Sequence, residues 1–414
     1  MLNSKNQREL AYVVSIGWVK PIEGADNIEL IGINGWTCIA KKGEFKKGDL
    51  AVYFEIDSKL PETAEWAAFL APKHYKVKTM KLSKFGVISQ GLALPAEAFG
   101  WKFESSGQFA GDVPLISTGD SIKPYFVEGD FLTEYLGVKY SVDEDNKRKA
   151  NVNPDAKINS ALARHPQIAK KWGKLIKKNK VVRWIFLALF GRKKDSSWPA
   201  WVVKTDEERV QNMPWILNDK EEWFATEKID GTSTTFTIRK NGLKKDFYIC
   251  SRNVCFDTPE KMANGAYYDT NVYQEMAIKY GLKFVLTHLL DSDPNLKFVT
   301  IQGETYGDGI QKRTYSIKHH NLAVFNLIFG YKDGTTRRCN PREMTDILVN
   351  YGLDCVPIVD EHFVLPDTIE ELLAIATDKS ILDGGMREGL VFRSADGTKS
   401  FKAVSNEFLL KYHQ

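Results

Sequence analysis

Short runs of mainly hydrophobic residues at residues 11–19, 29–33, 36–40, 50–56 and 87–94 of this 414-residue chain are separated by polar and turn-forming residues, and they read as closely spaced strands, alternating in the two runs at 29–33 and 36–40. Asn34-Gly35 joins two of the runs, and a tight two-residue hairpin turn needs positive φ at both central positions, so this pair predicts a hairpin. Gly48-Asp49 marks a further reversal. Short strands with Gly-rich turns and few helices predict a small β-barrel of the OB type. Lys76, Lys78, Lys81 and Lys84 give it a basic, strand-compatible edge, which either binds nucleic acid or is plain solvated surface.

Beyond residue 140 the pattern changes. Residues 141–160 are polar and rich in Asn, Asp and Lys, as connectors are, so a domain boundary is expected there. Then Ile168, Trp172, Leu175 and Ile176 fall on one helical stripe, with Lys170, Lys171, Lys174, Lys177 and Lys178 around the rest. Residues 159–194 hold 11 of the 57 basic residues and no acid; the chain's net charge of +4 is concentrated here, and the remainder, with all 53 acids, is net negative. The segment reads as a basic amphipathic helix, either solvated between domains or laid against phosphate backbones; a membrane role ranks third. Residues 181–190 are strongly apolar but carry Arg183 and fall far short of the ~20 residues of a spanning helix, so they are expected to pack against a domain.

A chain of this length with 43% hydrophobic residues can bury two or three cores. Its five cysteines (Cys38, Cys250, Cys255, Cys339, Cys355) are odd in number and lack Cys-x-x-Cys pairing, which argues against a disulfide framework or a zinc site. The seven histidines lack metal-site spacing. The amino terminus shows no apolar signal core, so a cytoplasmic protein is expected.

The chemistry is concentrated downstream. Glu227-Lys228-Ile229-Asp230-Gly231 is followed in order by Ser251-Arg252-Asn253, Gly303-Glu304, Phe325, Glu388-Gly389-Leu390-Val391-Phe392 and Ser400-Phe401-Lys402. A Lys-x-Asp-Gly alone is weak; the ordered series is not. It resembles the motif set of the covalent nucleotidyltransferases, which include DNA ligases, RNA ligases and capping enzymes. Residues 86–95, 132–137 and 204–212 further resemble one RNA ligase branch, in which an OB domain precedes the ligase core. The resemblance implies an α+β protein: an OB-type domain at 1–140, a basic helical linker at 141–200, and at 201–414 a nucleotidyltransferase (adenylation) domain of antiparallel sheets with flanking helices.

It also implies an ATP-dependent RNA ligase that joins 3′-hydroxyl and 5′-phosphate ends through a lysyl-AMP intermediate on Lys228. A lysine with a reference pKa near ~10.4 is a poor nucleophile at neutral pH, so its surroundings must favour the free amine. A divalent cation, Mg2+ or Mn2+, would do this while neutralising phosphate charge, and Asp230, Glu304 and Glu388 supply oxygen ligands for it. The β-branched run after the motif predicts that Lys228 sits in a turn entering a strand, with Gly231 allowing close backbone approach. Glu304 and Glu388 border apolar runs and are expected at strand ends lining a cleft.

By the same resemblance Glu227 belongs to the nucleotide site and Phe325 stacks on adenine, although alone it reads as a core aromatic. Arg252 contacts the ribose or the RNA terminus. Lys402 meets the α-phosphate. Arg209 either reaches the ATP tail or is a solvated charge. The superfamily often shows Lys-x-Lys at the last motif. Here Ser400 stands at the first position, with Lys399 one residue out of phase. Only 12 residues follow Lys402, too few for the carboxy-terminal barrel that DNA ligases and capping enzymes usually carry, which favours RNA ligation. RNA ends in a nicked duplex or an RNA–DNA hybrid are the expected partners. A DNA or hybrid nick ligase, and a non-catalytic binding protein with a decayed core, are the alternatives.

Overall fold

In the computed structural model the described residues are 1–3, 5, 7–104, 108–110, 116–118, 121–123, 126–141, 158, 162, 165–190, 198–252, 254–256 and 271–412. Asn253, and much of the connector and basic run, fall outside them.

The amino-terminal strands form where the hydrophobic runs place them, with two divisions. Residues 11–19 split into Ala11–Ser15 and Trp18–Pro21, and residues 87–94 into Val87–Ser89 and Leu92–Leu94. Ala11–Ser15, Leu50–Phe54 and Leu92–Leu94 make one antiparallel three-stranded sheet; Trp18–Pro21, Ile28–Ile33 and Trp36–Lys41 make another. Among the described residues these are separate sheets, not the single closed barrel that the strand pattern suggests. The first sheet is buried on both faces: Val13, Val52 and Phe54 enter one core, while Tyr12, Val14 and Tyr53 enter the other with Ile31, Ile33 and Trp36. Asn34 (φ 47°) and Gly35 (φ 76°) form the predicted turn, with Ile33 opposite Trp36. In the basic edge, Met80–Leu82 pairs with Val87–Ser89.

Two helices, Pro166–Lys178 and Lys180–Phe190, meet at Asn179, whose Oδ1 accepts the amides of Val181 (2.9 Å) and Val182 (3.2 Å). Ile176 and Phe186 bury against Ile158 and Leu162. The expected packing of residues 181–190 is thus met by the neighbouring helix over one stripe only, and Trp184 and Leu189 remain 72% and 71% exposed on the other. Trp172 and Leu175, on the apolar stripe, are about half exposed.

The carboxy-terminal part is built on two antiparallel sheets. The larger has six strands in the order Cys255–Phe256, Lys244–Ser251, Thr232–Asn241, Leu296–Gly307, His320–Tyr331 and Thr336–Arg338. Helices Val272–Lys279 and Leu282–Asp291 cover one face, burying Met276, Leu286 and Leu289 against Phe236, Ile238, Val299 and Ile301. The smaller has four strands in the order Ile358–Val364, Glu222–Lys228, Gly389–Ser394 and Ser400–Val404. Helix Ile369–Ala376, capped by the Thr368 hydroxyl on the Glu371 amide, seals its outer face. No helix among the described residues is long and apolar enough to cross a membrane.

Candidate active site

Lys228 is the last residue of its strand in the smaller sheet; Thr232 opens a strand of the larger one. The lysine therefore ends a strand instead of sitting in the turn, and Ile229-Asp230-Gly231 carries the chain from one sheet to the other. The crossing is tight: a Cβ on Gly231 would lie 2.4 Å from the Thr305 carbonyl oxygen and 2.9 Å from Glu304 Cγ, which only glycine avoids. The Asp230 amide donates to the Tyr315 hydroxyl at 2.6 Å, and the Arg313 guanidinium lies 4.1 Å from the Tyr315 ring centre.

The opposite wall is set by register. Lys228 pairs with Gly389, Val391 with Lys402, and Arg393 with Ser400, so alternation turns Val391, Arg393 and Lys402 to the inner face. Glu304 and Phe325 arrive from neighbouring strands of the larger sheet. Together they line a cavity of about 340 Å³ that also includes Asp206, Asp230, Arg252 and Glu388, the size and polarity of a small-ligand site.

Lys228 Nζ donates to Glu388 Oε2 at 2.7 Å. Burial works to lower the Lys228 pKa, but Glu388, Glu304 and Asp230 outweigh it and the net shift is upward. The expected bias towards the free amine is therefore not intrinsic to this protein pocket, because three carboxylates favour the ammonium. Burial, with the adjacent Glu388 and Asp230 charges and against the pull of Lys228, raises Glu304 to about 8. Burial lowers Lys402, opposed by Asp206. Asp206 bridges Lys402 (3.4 Å) and Arg252 (2.6 Å).

Most of the expected residues converge here, with corrections. Glu304 lies within its strand, which continues to Gly307 past a register shift at Gln302–Gly303, because residues 303–307 keep pairing with residues 320–324. Glu388 does stand at a strand start. Asp230, Glu304 and Glu388 line one cavity, yet among the described residues no three His, Cys, Asp or Glu side chains are grouped closely enough to hold a metal. They surround Lys228 instead of forming a three-carboxylate cage. Glu227 lines the cavity, but its oxygens accept the Ser380 hydroxyl (2.5 Å) and the Ile381 amide (2.8 Å), so its carboxylate anchors that loop. Arg209 is not a solvated charge. Its guanidinium lies 5.6 Å from the Trp36 ring centre, outside the residues lining the cavity, and burial lowers its pKa.

Lys399 leaves the site altogether, turning outward to Asp219 and Glu221. Opposite Ser400 the inner cation is Arg393, which pairs with Glu207 at 3.2 Å and lies 5.9 Å from the Phe325 ring centre. It is only 3% exposed, and its Nε and Nη1 have no hydrogen-bond partner among the described residues. The sequence reading missed Arg393, Asp206, Tyr315 and Ser380. Arg393 alone carried a signal, lying two residues beyond Val391 on the same face.

Two sheets joined by a lysine crossover, with carboxylates and cations on facing walls, define an α+β protein with a nucleotidyltransferase domain. Residues 10–96 match an OB-fold domain family, and residues 221–413 match the RNA ligase family. The solved structures agree. A lysine-to-alanine variant of a Naegleria gruberi RNA ligase with ATP and manganese is 27% identical, with 98% of this chain and 99% of that chain covered at a TM-score of 0.61. The same ligase with pyrophosphate is 27% identical over 98% and 99% of the chains, TM-score 0.60, and a glutamate-to-alanine variant with AMP and manganese is 28% identical over 98% and 99%, TM-score 0.60. A search of curated proteins gives no significant match. The chain carries an RNA ligase domain, with an OB-fold domain ahead of it.

Proposed function

We propose that this ligase uses ATP to join RNA 3′-hydroxyl and 5′-phosphate ends in three displacements. The neutral Lys228 amine attacks the α-phosphorus of ATP; an N–P bond forms, the bond to pyrophosphate breaks, and Glu388 Oε2, 2.7 Å from Nζ, accepts the amine's proton. The AMP then passes to a 5′-phosphate, and the neighbouring 3′-hydroxyl displaces it to leave a phosphodiester. Positioning and charge neutralisation carry most of such in-line transfers. Lys402, whose ammonium burial destabilises, offers its charge to the α-phosphate as negative charge develops there. Phe325 stacks on adenine, Arg252 meets the ribose or the RNA terminus, and Arg209 meets the phosphate tail.

Asp230, Glu304 and Glu388 line one cavity and offer the oxygen donors a hard divalent cation prefers, and burial among like charges already drives Glu304 up to about 8. They are spread around Lys228 and not gathered in a cage, so one or two of these carboxylates, with retained waters, would hold magnesium or manganese. When bound, the cation neutralises phosphate charge and disfavours the Lys228 ammonium that the carboxylates otherwise hold. The polypeptide's own part is to fix Lys228 at a strand end against Glu388.

The observation that carries this reading is Lys228 at the sheet crossover, 2.7 Å from Glu388 and lining one cavity with Lys402. Incubation with α-labelled ATP and magnesium should leave label on the denatured chain, and Lys228→Ala should abolish it while still sealing a pre-adenylated RNA strand. A wild-type protein that never labels, or a Lys228→Ala variant that ligates with ATP, refutes it. Nicked RNA, DNA and hybrid duplexes assayed side by side then establish the preferred strand.

A further inference from the structure

The helix pair Pro166–Lys178 and Lys180–Phe190 contributes no residue to the lining of the active-site cavity. Its buried side chains make a small core of their own: Ile176 and Phe186 close on Ile158 and Leu162, with Ile168 and Val182 packed beside them. The rest of the pair is turned outward. On the second helix Val181, Trp184, Ile185 and Leu189 are exposed, and their spacing of three, four and eight residues from Val181 puts them on one arc. On the first helix Trp172 and Leu175 stand about half exposed, between the buried stripe and the exposed Lys170, Lys171, Lys174, Lys177 and Lys178.

Six large apolar side chains left in water, four of them on one helix, are costly unless a partner covers them. The sequence ranked a membrane role third on the expectation that residues 181–190 pack inward, and their exposed arc removes that ground. The chemistry of the pair selects the partner. Residues 159–194 carry 11 basic residues and no acid, so a second copy of this surface would meet it with like charge. Phosphate backbones of RNA would satisfy the lysines but leave Val181, Ile185 and Leu189 wet, since aliphatic side chains neither pair with phosphate nor offer a stacking face to bases. An anionic lipid surface satisfies both sets. The apolar side chains enter the boundary between headgroups and acyl chains, the indoles of Trp172 and Trp184 sit at headgroup depth, and the lysines meet the anionic headgroups. At ~1.5 Å per residue the second helix is about 16 Å long, roughly half of a ~30 Å hydrocarbon core, so it lies along the surface and does not cross it.

We propose that residues 166–190 form a membrane-docking hairpin that seats this chain reversibly on anionic lipid, through a surface separate from the nucleotide site. The inference stands independently of the function proposed above.

The test floats the full-length protein with vesicles of phosphatidylcholine containing phosphatidylserine, and with vesicles of phosphatidylcholine alone. Wild type should float with the first and bind the second roughly tenfold more weakly or worse; raising salt from ~0.1 to ~1 M, which shortens the screening length from about 10 to about 3 Å, should weaken the anionic binding. The double variant Trp184→Ser, Leu189→Ser should bind anionic vesicles roughly tenfold or more weakly with an unchanged thermal midpoint, because the two most exposed apolar side chains of the pair no longer enter lipid. Trp184→Phe with Leu189→Met should keep most of the binding, and the triple variant Lys170→Gln, Lys174→Gln, Lys178→Gln should lose the preference for anionic lipid. Wild type that stays in solution with anionic vesicles, equal wild-type binding to both compositions, or a double serine variant that binds like wild type would overturn the proposal. Where wild type stays in solution, loss of RNA affinity or of self-association in the double serine variant identifies the partner that covers this face instead.

Discussion

The two faces of the four-stranded sheet are made by the same strands and have opposite characters. On the outer face Trp223, Ala225, Leu390, Phe392, Phe401 and Ala403 pack against Ile369, Leu372 and Ala376, with Phe392 and Phe401 stacked 4.9 Å apart. On the inner face, one residue out of step, Lys228, Val391, Arg393 and Lys402 face a cavity that Asp230, Glu304 and Glu388 also line. The dry face can be replaced by any well-packed apolar set, since its stability comes from area removed from water and close packing. The charged face is the reverse. Burying Lys402 and Arg393 costs free energy that the fold recovers only partly through Asp206 and Glu207. One sheet thus stabilises with one side and holds poorly compensated charge with the other, as a site poised for a phosphate should.

Substitutions separate the two faces. Lys402→Ala should give the largest effect, lowering the self-adenylation rate about 10²–10³-fold by removing a preorganised charge, with little change in thermal midpoint. A parallel fall in stability would mean that the inner face is structural as well. Phe392→Ala, its neighbour in register one residue away, should instead cost about 3–5 kcal/mol of stability. Measured below the unfolding transition, its adenylation rate should stay within a few-fold of wild type; a catalytic loss in a folded Phe392→Ala protein would break the division. Lys399→Ala should be the mildest, because that side chain is tied to Asp219 and Glu221 on the surface, and exposed pairs contribute little. Adenylation slowed tenfold or more by Lys399→Ala would show that this lysine swings inward during catalysis.

Legibility followed the range of the interactions. The Asn34-Gly35 turn was readable because its cause, positive φ at two adjacent residues, is local. Lys228, Glu304, Glu388 and Lys402 were readable as an ordered set, and the structure brings them to one cavity. The metal-ligand reading was too simple: three carboxylates in a motif order say nothing of how far apart their oxygens sit, and here they ring the lysine. The solvated-charge alternative for Arg209 could not be dismissed from sequence because its neighbour Trp36 lies 173 positions earlier, in another domain. Arg393 was missed because its importance comes from facing Ser400 across two strands. The apolar stripe of residues 181–190 was read as a packing face, whereas half of it stays in solvent.

Residue types and their local patterns determined which segments are strands and which turn closes the first hairpin, because each depends on backbone preferences local to the chain, and the motif order picked out a lysine and carboxylates that line one cavity. Only the tertiary structure decided that Ile229-Asp230-Gly231 crosses between sheets, that Arg393 stands opposite Ser400, and that an indole from the first domain underlies a guanidinium of the second. Those are relations between distant segments, fixed by register and by packing, and no single stretch of sequence contains them.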